Sequence, residues 1–283
     1  VALAAGMYFD GLRLQRLVKI GGYKLSIQAV LRVIFSNYFM AMLTPGASGG
    51  AVAQVLVLKS YGVPISKGTP IVLIRTVFSI MFLVIMLPLV FLRDAIEIPY
   101  ISRDMLLLFA VLAVIATLLG TYILQTKYMR QFVYNLAQRF KAHKTKDWLS
   151  KLETLNQGLG LLYKEPIQSV IVFFESGLSL LCLYCIAPAL MYAFTPDIPI
   201  IDILDRMILL NLILYFAPTP GGTGIAEGLF VVLFSAFVPN GTVGIVAVAW
   251  RVVAEYLPFF IGMYAVLTLY GRQFVAQETS REQ

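Results

Sequence analysis

The sequence predicts an all-α integral membrane protein, built as an inverted repeat around two re-entrant hairpins of broken helix. Three observations predict it. Hydrophobic residues make up 59% of the chain and charged residues only 13%, with a mean hydropathy of +0.83, whereas soluble domains are about half apolar and about a quarter charged. The apolar stretches run at helix length and lack the alternation of barrel strands. Finally, Thr44-Pro45-Gly46-Ala47-Ser48-Gly49 returns 175 positions later as Thr219-Pro220-Gly221-Gly222-Thr223-Gly224, and each copy interrupts an apolar run. An arginine enters the apolar run beyond each break, Arg75 after 31 positions and Arg251 after 32. Duplicated broken helices of this kind place a substrate site where the two breaks meet.

The whole chain, 1–283, is expected to form one transmembrane domain: residues 25–124 as a first repeat with a linking helix, 125–165 as a basic cytoplasmic connector, and 166–270 as a second, inverted repeat. Residues 1–9 are apolar and run straight into Arg13, Arg16, Lys19 and Lys24. They read as the cytoplasmic end of a trimmed first helix, because a removable signal peptide carries its charge before the apolar core. Residues 12–19 read as an amphipathic segment on the inner surface. The run 25–43 reaches the first break, and only about eleven residues follow it before Lys59, half of the roughly twenty needed to cross a bilayer. A re-entrant hairpin that enters from the cytoplasm and returns to Lys59 and Lys67 resolves that shortfall.

Residues 69–92 then cross outward and 105–124 cross back. The connector 127–165 reads as amphipathic helix, with Tyr134, Phe140 and Trp148 at the interface. Pro166 suits the first turn of the outward helix 166–194. The loop 195–205 carries Asp197, Asp202 and Asp205 without a lysine, which suits the outer side. Runs 209–217 and 225–238 flank the second break, Pro239-Asn240-Gly241 forms a turn, and 243–270 returns to the cytoplasm before a frayed polar tail from Arg272. The first hairpin thus enters from inside and the second from outside, with loop 59–67 cytoplasmic and 239–241 external.

The net charge of +7 comes from clusters at 13–24 and 127–151. Positive-inside bias explains it, so a multi-pass position in the cell (cytoplasmic) membrane is expected and nucleic acid is not a partner. Cys182 and Cys185 have the spacing of a redox pair but sit in an apolar run with no second pair and no histidine nearby, and read as small buried residues. His143, the sole histidine, lies among lysines. No metal site, cofactor or catalytic residue is therefore expected.

Helix breaks inside a membrane are tolerated chiefly where they line a cavity. Thr44, Ser48, Gly49 and Gly50 at the first break, with Thr219, Gly221, Gly222, Thr223 and Gly224 at the second, are candidate substrate contacts. Their amides and the positive helix ends suit a lipid phosphate; close helix packing through small residues is the other reading. Arg75 and Arg251 lie about 9 and 12 Å along their helices, where a charge needs a polar surrounding and a counter-charge. Glu255 stands four residues after Arg251, so an ion pair and a substrate role are both open. Arg75 has only Ser79 at that spacing, so it is expected to hold a free charge for a phosphate. Glu227 caps the second half-helix or binds a headgroup. Glu175 takes a proton or a cationic headgroup, or pairs with Arg75 or Arg251.

These residues carry a resemblance: the break followed by Gly49-Gly50 and Arg75, then Pro218-Thr219-Pro220-Gly221-Gly222-Thr223-Gly224-Ile225-Ala226-Glu227 followed by Arg251. The chain resembles the lysylphosphatidylglycerol synthase transmembrane region family, the membrane domain shared with the multiple peptide resistance factors, over nearly its whole length. The resemblance implies a flippase-like module for phospholipids, aminoacylated ones among them. The resistance factors carry a soluble aminoacyl-transferase domain after the membrane part, and this sequence leaves no room for one before Gln283. A lipid flippase or transporter for a phospholipid or polyprenyl-phosphate lipid is therefore expected, rather than an enzyme. The alternatives are a membrane-embedded transferase, a lipid-presenting subunit, or a small-solute carrier. Membrane lipids are the expected partners, with a homo-oligomer and a separate lipid-modifying enzyme as further candidates.

Overall fold

The computed structural model describes residues 1–93, 102–123, 160 and 165–279. The basic connector, with Tyr134, Phe140, His143 and Trp148, lies outside the described residues. The helices, in chain order, are α1 (Ala2–Ile20), α2 (Ile27–Leu43), α3 (Ser48–Ser60), α4 (Ile65–Leu92), α5 (Arg103–Ile123), α6 (Pro166–Tyr184), α7 (Ile186–Met191), α8 (Ile200–Leu214), α9 (Ile225–Phe234), α10 (Val243–Arg251) and α11 (Leu257–Thr279). A 3-10 turn, Ser235–Phe237, follows α9, and a π-helical turn, Val252–Tyr256, joins α10 to α11. Ile65–Leu92, Pro166–Met191 and Val243–Leu269 are long and apolar enough to cross a membrane.

The first helix differs from the expectation of a surface segment over 12–19. It is one helix of 19 residues that buries Met7, Asp10, Gly11, Leu14, Leu17 and Val18, a stripe at helical spacing. The helix packs along α6 and also meets α2 and α4. Contact is close because Gly6 lets the backbones approach: a Cβ there would press on Leu183, while Ser179 Oγ donates to the Gly6 carbonyl at 2.9 Å. The charges at 10 and 13 fall on this buried face, not on a solvated one. Two smaller corrections concern the second half: the expected single run 243–270 is interrupted by the π turn just after Arg251, and the tail from Arg272 continues as helix to Thr279.

Ser26 caps α2 by accepting the Ala29 amide at 3.3 Å, and α2 ends at Thr44, where the chain turns into α3. Thirteen residues give α3 a length of about 20 Å, well short of a bilayer core of about 30 Å, as the apolar count predicts. It packs back on α2. Gly262 of α11 closes the other side of α2, since a Cβ there would overlap the Phe35 carbonyl.

Among the described residues two large apolar cores result, with a small third one of Leu87, Phe91 and Ala110. Leu14, Leu17, Val33, Ile34, Leu58 and Ile71 belong to the core of α1 to α4; Met207, Leu210, Phe230, Phe234 and Trp250 belong to that of the second half. The α4 and α6 helices serve both, through Phe173 wedged between Phe78 and Phe82 and Gly177 beneath the Phe82 ring. The outward faces stay apolar, with Leu108, Phe109, Phe174, Val232, Phe260 and Tyr264 all exposed. In lipid, packing contacts of this kind and buried polar bonds hold helices together, since the surrounding tails are as apolar as the core.

Candidate functional site

Both breaks use one backbone device. Two successive residues take left-handed φ, Gly46 and Ala47 at 60° and 52° in the first break and Gly221 and Gly222 at 57° and 67° in the second. Ala47 N and Ser48 N donate to the carbonyls of Thr44 and Pro45, as Gly222 N and Thr223 N do to Thr219 and Pro220. The hydroxyls of Ser48 and Thr223 fold back on the same proline carbonyls at 3.1 and 2.8 Å. Pro45 and Pro220 stand opposite each other in an isolated antiparallel bridge. The two breaks therefore meet, tip to tip.

The amides around the breaks do not form an open anion site, which corrects that expectation. Gly49 N donates to Thr44 Oγ1 at 2.8 Å, Gly50 N to the Ala47 carbonyl at 3.2 Å and Gly222 N to the Thr219 carbonyl at 3.0 Å. Gly224 N donates to Glu227 Oε2 at 2.7 Å, which makes Glu227 a cap of α9. The cap differs between copies, a threonine hydroxyl in one and a carboxylate in the other. Its consequence is visible at Thr219, whose Oγ1 is buried with no partner among the described residues. Gly49 and Gly50 also serve packing, since a Cβ on either would collide with Thr44 or Asn37 of α2.

Arg75 lies 6% exposed in the first half, and its charge is not free. Nε and Nη2 grip both carboxylate oxygens of Asp10, and Nη1 donates to Gln54 Oε1 on the half-helix α3. Gln54 in turn donates to Asn37 Oδ1 at 2.6 Å. Arg13 shares Asp10 through its Nε and donates Nη1 to Ser79 Oγ at 2.8 Å. This cluster holds two guanidinium groups against one carboxylate. Sequence reasoning missed Asp10 and Arg13 here. The signal was their spacing, which repeats that of Met7, Leu14 and Leu17 and so places them on the apolar stripe.

Arg251, 1% exposed, belongs to the second half. Nε donates to Glu227 Oε1 and Nη2 to the Gly221 carbonyl, both at 2.8 Å. Nη1 lies 3.4 Å from Glu255 Oε1, the ion pair that the four-residue spacing predicts. The two carboxylates are 29% and 28% exposed. Glu175 joins neither arginine, which corrects that pairing. It binds Arg16 of α1, with Nη2 to Oε1 at 2.7 Å and Nε to Oε2 at 3.1 Å, while Arg16 Nη1 reaches Gln168 at 2.7 Å.

No solved structure matches this chain. A UPF0104 membrane protein of Archaeoglobus fulgidus is 21% identical over 263 residues, covering 90% of this chain and 80% of the relative. A family model described as the lysylphosphatidylglycerol synthase TM region matches residues 1–262. That match takes in both breaks, both arginine clusters and the helix that supplies Asp10 and Arg13, and the chain belongs to the lysylphosphatidylglycerol synthase transmembrane region family.

Proposed function

We propose that this membrane protein is a lipid translocator, which passes the headgroup of a phospholipid or polyprenyl-phosphate lipid through its polar centre while the tails stay in the bilayer. One observation carries the reading. Asp10, Arg13, Arg75 and Arg251 are each at most 6% exposed inside an apolar helical body, and Arg251 binds the Gly221 carbonyl at the second of two breaks that meet at Pro45 and Pro220. A charge at such a depth costs about 3 kcal/mol on insertion scales, and in membranes buried ionisable groups mark substrate and ion paths. Element order supports an inverted repeat: helix, helix, break, half-helix and long helix occur in α1–α4 and again from α6 to α11. The multi-pass topology in the cytoplasmic membrane follows from that reading.

A lipid-presenting role beside a separate lipid-modifying enzyme is the second reading, favoured by the family's description as part of a synthase. Acid–base chemistry has little support in this site, because Glu227 and Glu255 both face Arg251 and Asp10 is shared by two arginines. Reconstitution separates the two. Vesicles carrying the purified protein and a headgroup-labelled phosphatidylglycerol or polyprenyl-phosphate analogue should lose the protection of their inner-leaflet label against a membrane-impermeant quencher. Protection equal to that of protein-free vesicles for every lipid, with the protein folded, would remove the translocator reading in favour of presentation.

A further inference from the structure

A buried arginine fixes the orientation of the amides beyond it. Arg75 has only donors to offer, so the Gln54 oxygen turns toward it and Nη1 donates to Oε1. Gln54, 4% exposed, is left with Nε2 for α2, where it donates to Asn37 Oδ1 at 2.6 Å. Asn37 must present its oxygen there, because the reversed amide would set two donors against each other. Its Nδ2 therefore ends the chain, turned away from Gln54, with no acceptor among the described residues. Asn37 is part-buried beside the first turn of α3, where a Cβ on Gly50 would collide with its Oδ1.

Packing of α2 on α3 accounts for the Gln54–Asn37 bond, but not for two N–H donors left at its end. The second half shows the other outcome. Asn211, eight residues before Thr219 as Asn37 stands seven before Thr44, donates Nδ2 to the Met207 carbonyl of its own helix at 2.8 Å. There Arg251 ends directly on the Glu227 carboxylate, and no amide chain leads outward among the described residues. Unbonded amide donors on an apolar helix are destabilising, and native folds complete such groups with water, an ion or a ligand. The chain that ends at Asn37 begins at a guanidinium, and successive hydrogen bonds polarise one another, so its last N–H groups are stronger donors than those of an isolated amide. Behind them two guanidinium groups face one carboxylate. A ligand suited to this end brings acceptor oxygens and a negative charge. A phosphate has both, whereas an ester carbonyl brings an acceptor alone.

We propose that Asn37 is a phosphate contact of this protein, its amide nitrogen donating to the ligand at the end of a hydrogen-bond chain that starts at Arg75 and runs through Gln54. The inference rests on the translocator reading and names a residue that holds its anionic ligand. Arg75, held by Asp10 and Gln54, acts through that chain as a positioning residue, and so does Gln54. The phosphate comes from a lipid headgroup or from solution, and the test distinguishes the two.

Purified full chain in detergent is titrated with short-chain phosphatidylglycerol, farnesyl phosphate, short-chain diacylglycerol and inorganic phosphate, with binding read by calorimetry. Wild type should bind the two phosphate lipids and not diacylglycerol. Asn37→Asp keeps an oxygen for Gln54, and so the contact between α2 and α3, but replaces the outward donors by a carboxylate oxygen. Binding should fall at least about tenfold, the loss of one hydrogen bond to a charged group. Gln54→Glu leaves Asn37 in place but accepts where Gln54 donates, so Asn37 turns its oxygen outward and binding should fall in the same direction. A purely structural Asn37 would leave binding unchanged in both. Melting temperatures identify the folded variants, and either one alone decides. Equal binding by wild type and variant overturns the contact, as does equal binding of diacylglycerol, and both leave the translocator reading to the vesicle assay. Binding of inorganic phosphate but of neither phosphate lipid, weakened in the variants, keeps the contact and overturns the lipid as its source. No binding of any phosphate compound overturns the contact, and labelled lipid that still crosses the vesicle membrane would leave the translocator reading standing without it.

Discussion

The two arginine clusters are built alike and charged oppositely. In each half, the arginine of the long helix reaches back to the half-helix that follows the break: Arg75 to Gln54, Arg251 to Glu227. Position four after the arginine differs too, Ser79 in one half and Glu255 in the other. Among the described residues the first cluster has one carboxylate, from α1, paired with two arginines, and the second has two carboxylates for one arginine. A duplicated backbone device can therefore hold unlike chemistry, with a net positive charge on one side of the meeting breaks and a net negative charge on the other. The burial differs in the same sense, since Asp10 is 3% exposed whereas the carboxylates at Arg251 keep more than a quarter of their surface.

That difference predicts unequal costs for removing one negative charge. Asp10→Asn leaves Arg13 and Arg75 buried without neutralisation, and breaking a buried pair by removing one member costs about 3–5 kcal/mol. Glu227→Gln leaves Arg251 with Glu255 nearby and a partly exposed site, so the loss should be about 1–2 kcal/mol, mostly the cap of α9 and one charge-assisted bond. Thermal unfolding in detergent should give a much larger drop for Asp10→Asn. Equal drops would mean that the clusters are energetically equivalent despite their charge. Arg75→Ala is not a clean probe of lipid contact either, since it also strips Asp10 of one of its two arginine partners and Gln54 of a donor.

A smaller contrast lies in the breaks themselves. Ala47 and Gly222 occupy equivalent left-handed positions, but a Cβ in that region costs roughly 1–2 kcal/mol. Ala47→Gly should therefore stabilise the protein by up to about 1 kcal/mol, once the extra freedom of glycine in the unfolded chain is set against the relief. Gly222→Ala should destabilise by at least as much, because its new methyl also meets Leu214 at 3.0 Å. Changes of the same sign in both variants would show that the breaks are not equivalent in solution.

Legibility in the sequence followed distance along the chain. The half-length of α3, the breaks and the Arg251–Glu255 pair were readable, because apolar run length, Pro-Gly punctuation and four-residue spacing are local signals. Glu227 stands 24 positions from Arg251, near enough for its role as a cap to be seen but not its bond to that arginine. Asp10 lies 65 positions from Arg75, and Arg16 lies 159 from Glu175. Nothing local links such pairs. A short stretch with several charges resembles a surface helix until the partner helix is known, which is why residues 12–19 read as a surface segment and Arg75 as free.

The last contrast isolates the capping chemistry at the two thresholds. Thr44 Oγ1 accepts the Gly49 amide and donates to the Met40 carbonyl, both at 2.8 Å; the equivalent amide, Gly224, is taken by Glu227, so Thr219 Oγ1 has no partner among the described residues. Thr→Val keeps shape and removes only the hydroxyl. Thr44→Val should cost about 1 kcal/mol, the value of a lost amino-terminal cap. Thr219→Val should be neutral or slightly stabilising, since a buried hydroxyl without a partner contributes a desolvation cost and no bond. The pair is best read in one background by chemical unfolding, where both changes fall within the resolution of the midpoint. In Glu227→Gln the order should alter, because the Gly224 amide then has a weaker acceptor and Thr219 Oγ1 becomes available to it. Adding Thr219→Val to that variant should be more costly than in wild type, and the absence of such coupling would break the account of why the second cap is a carboxylate.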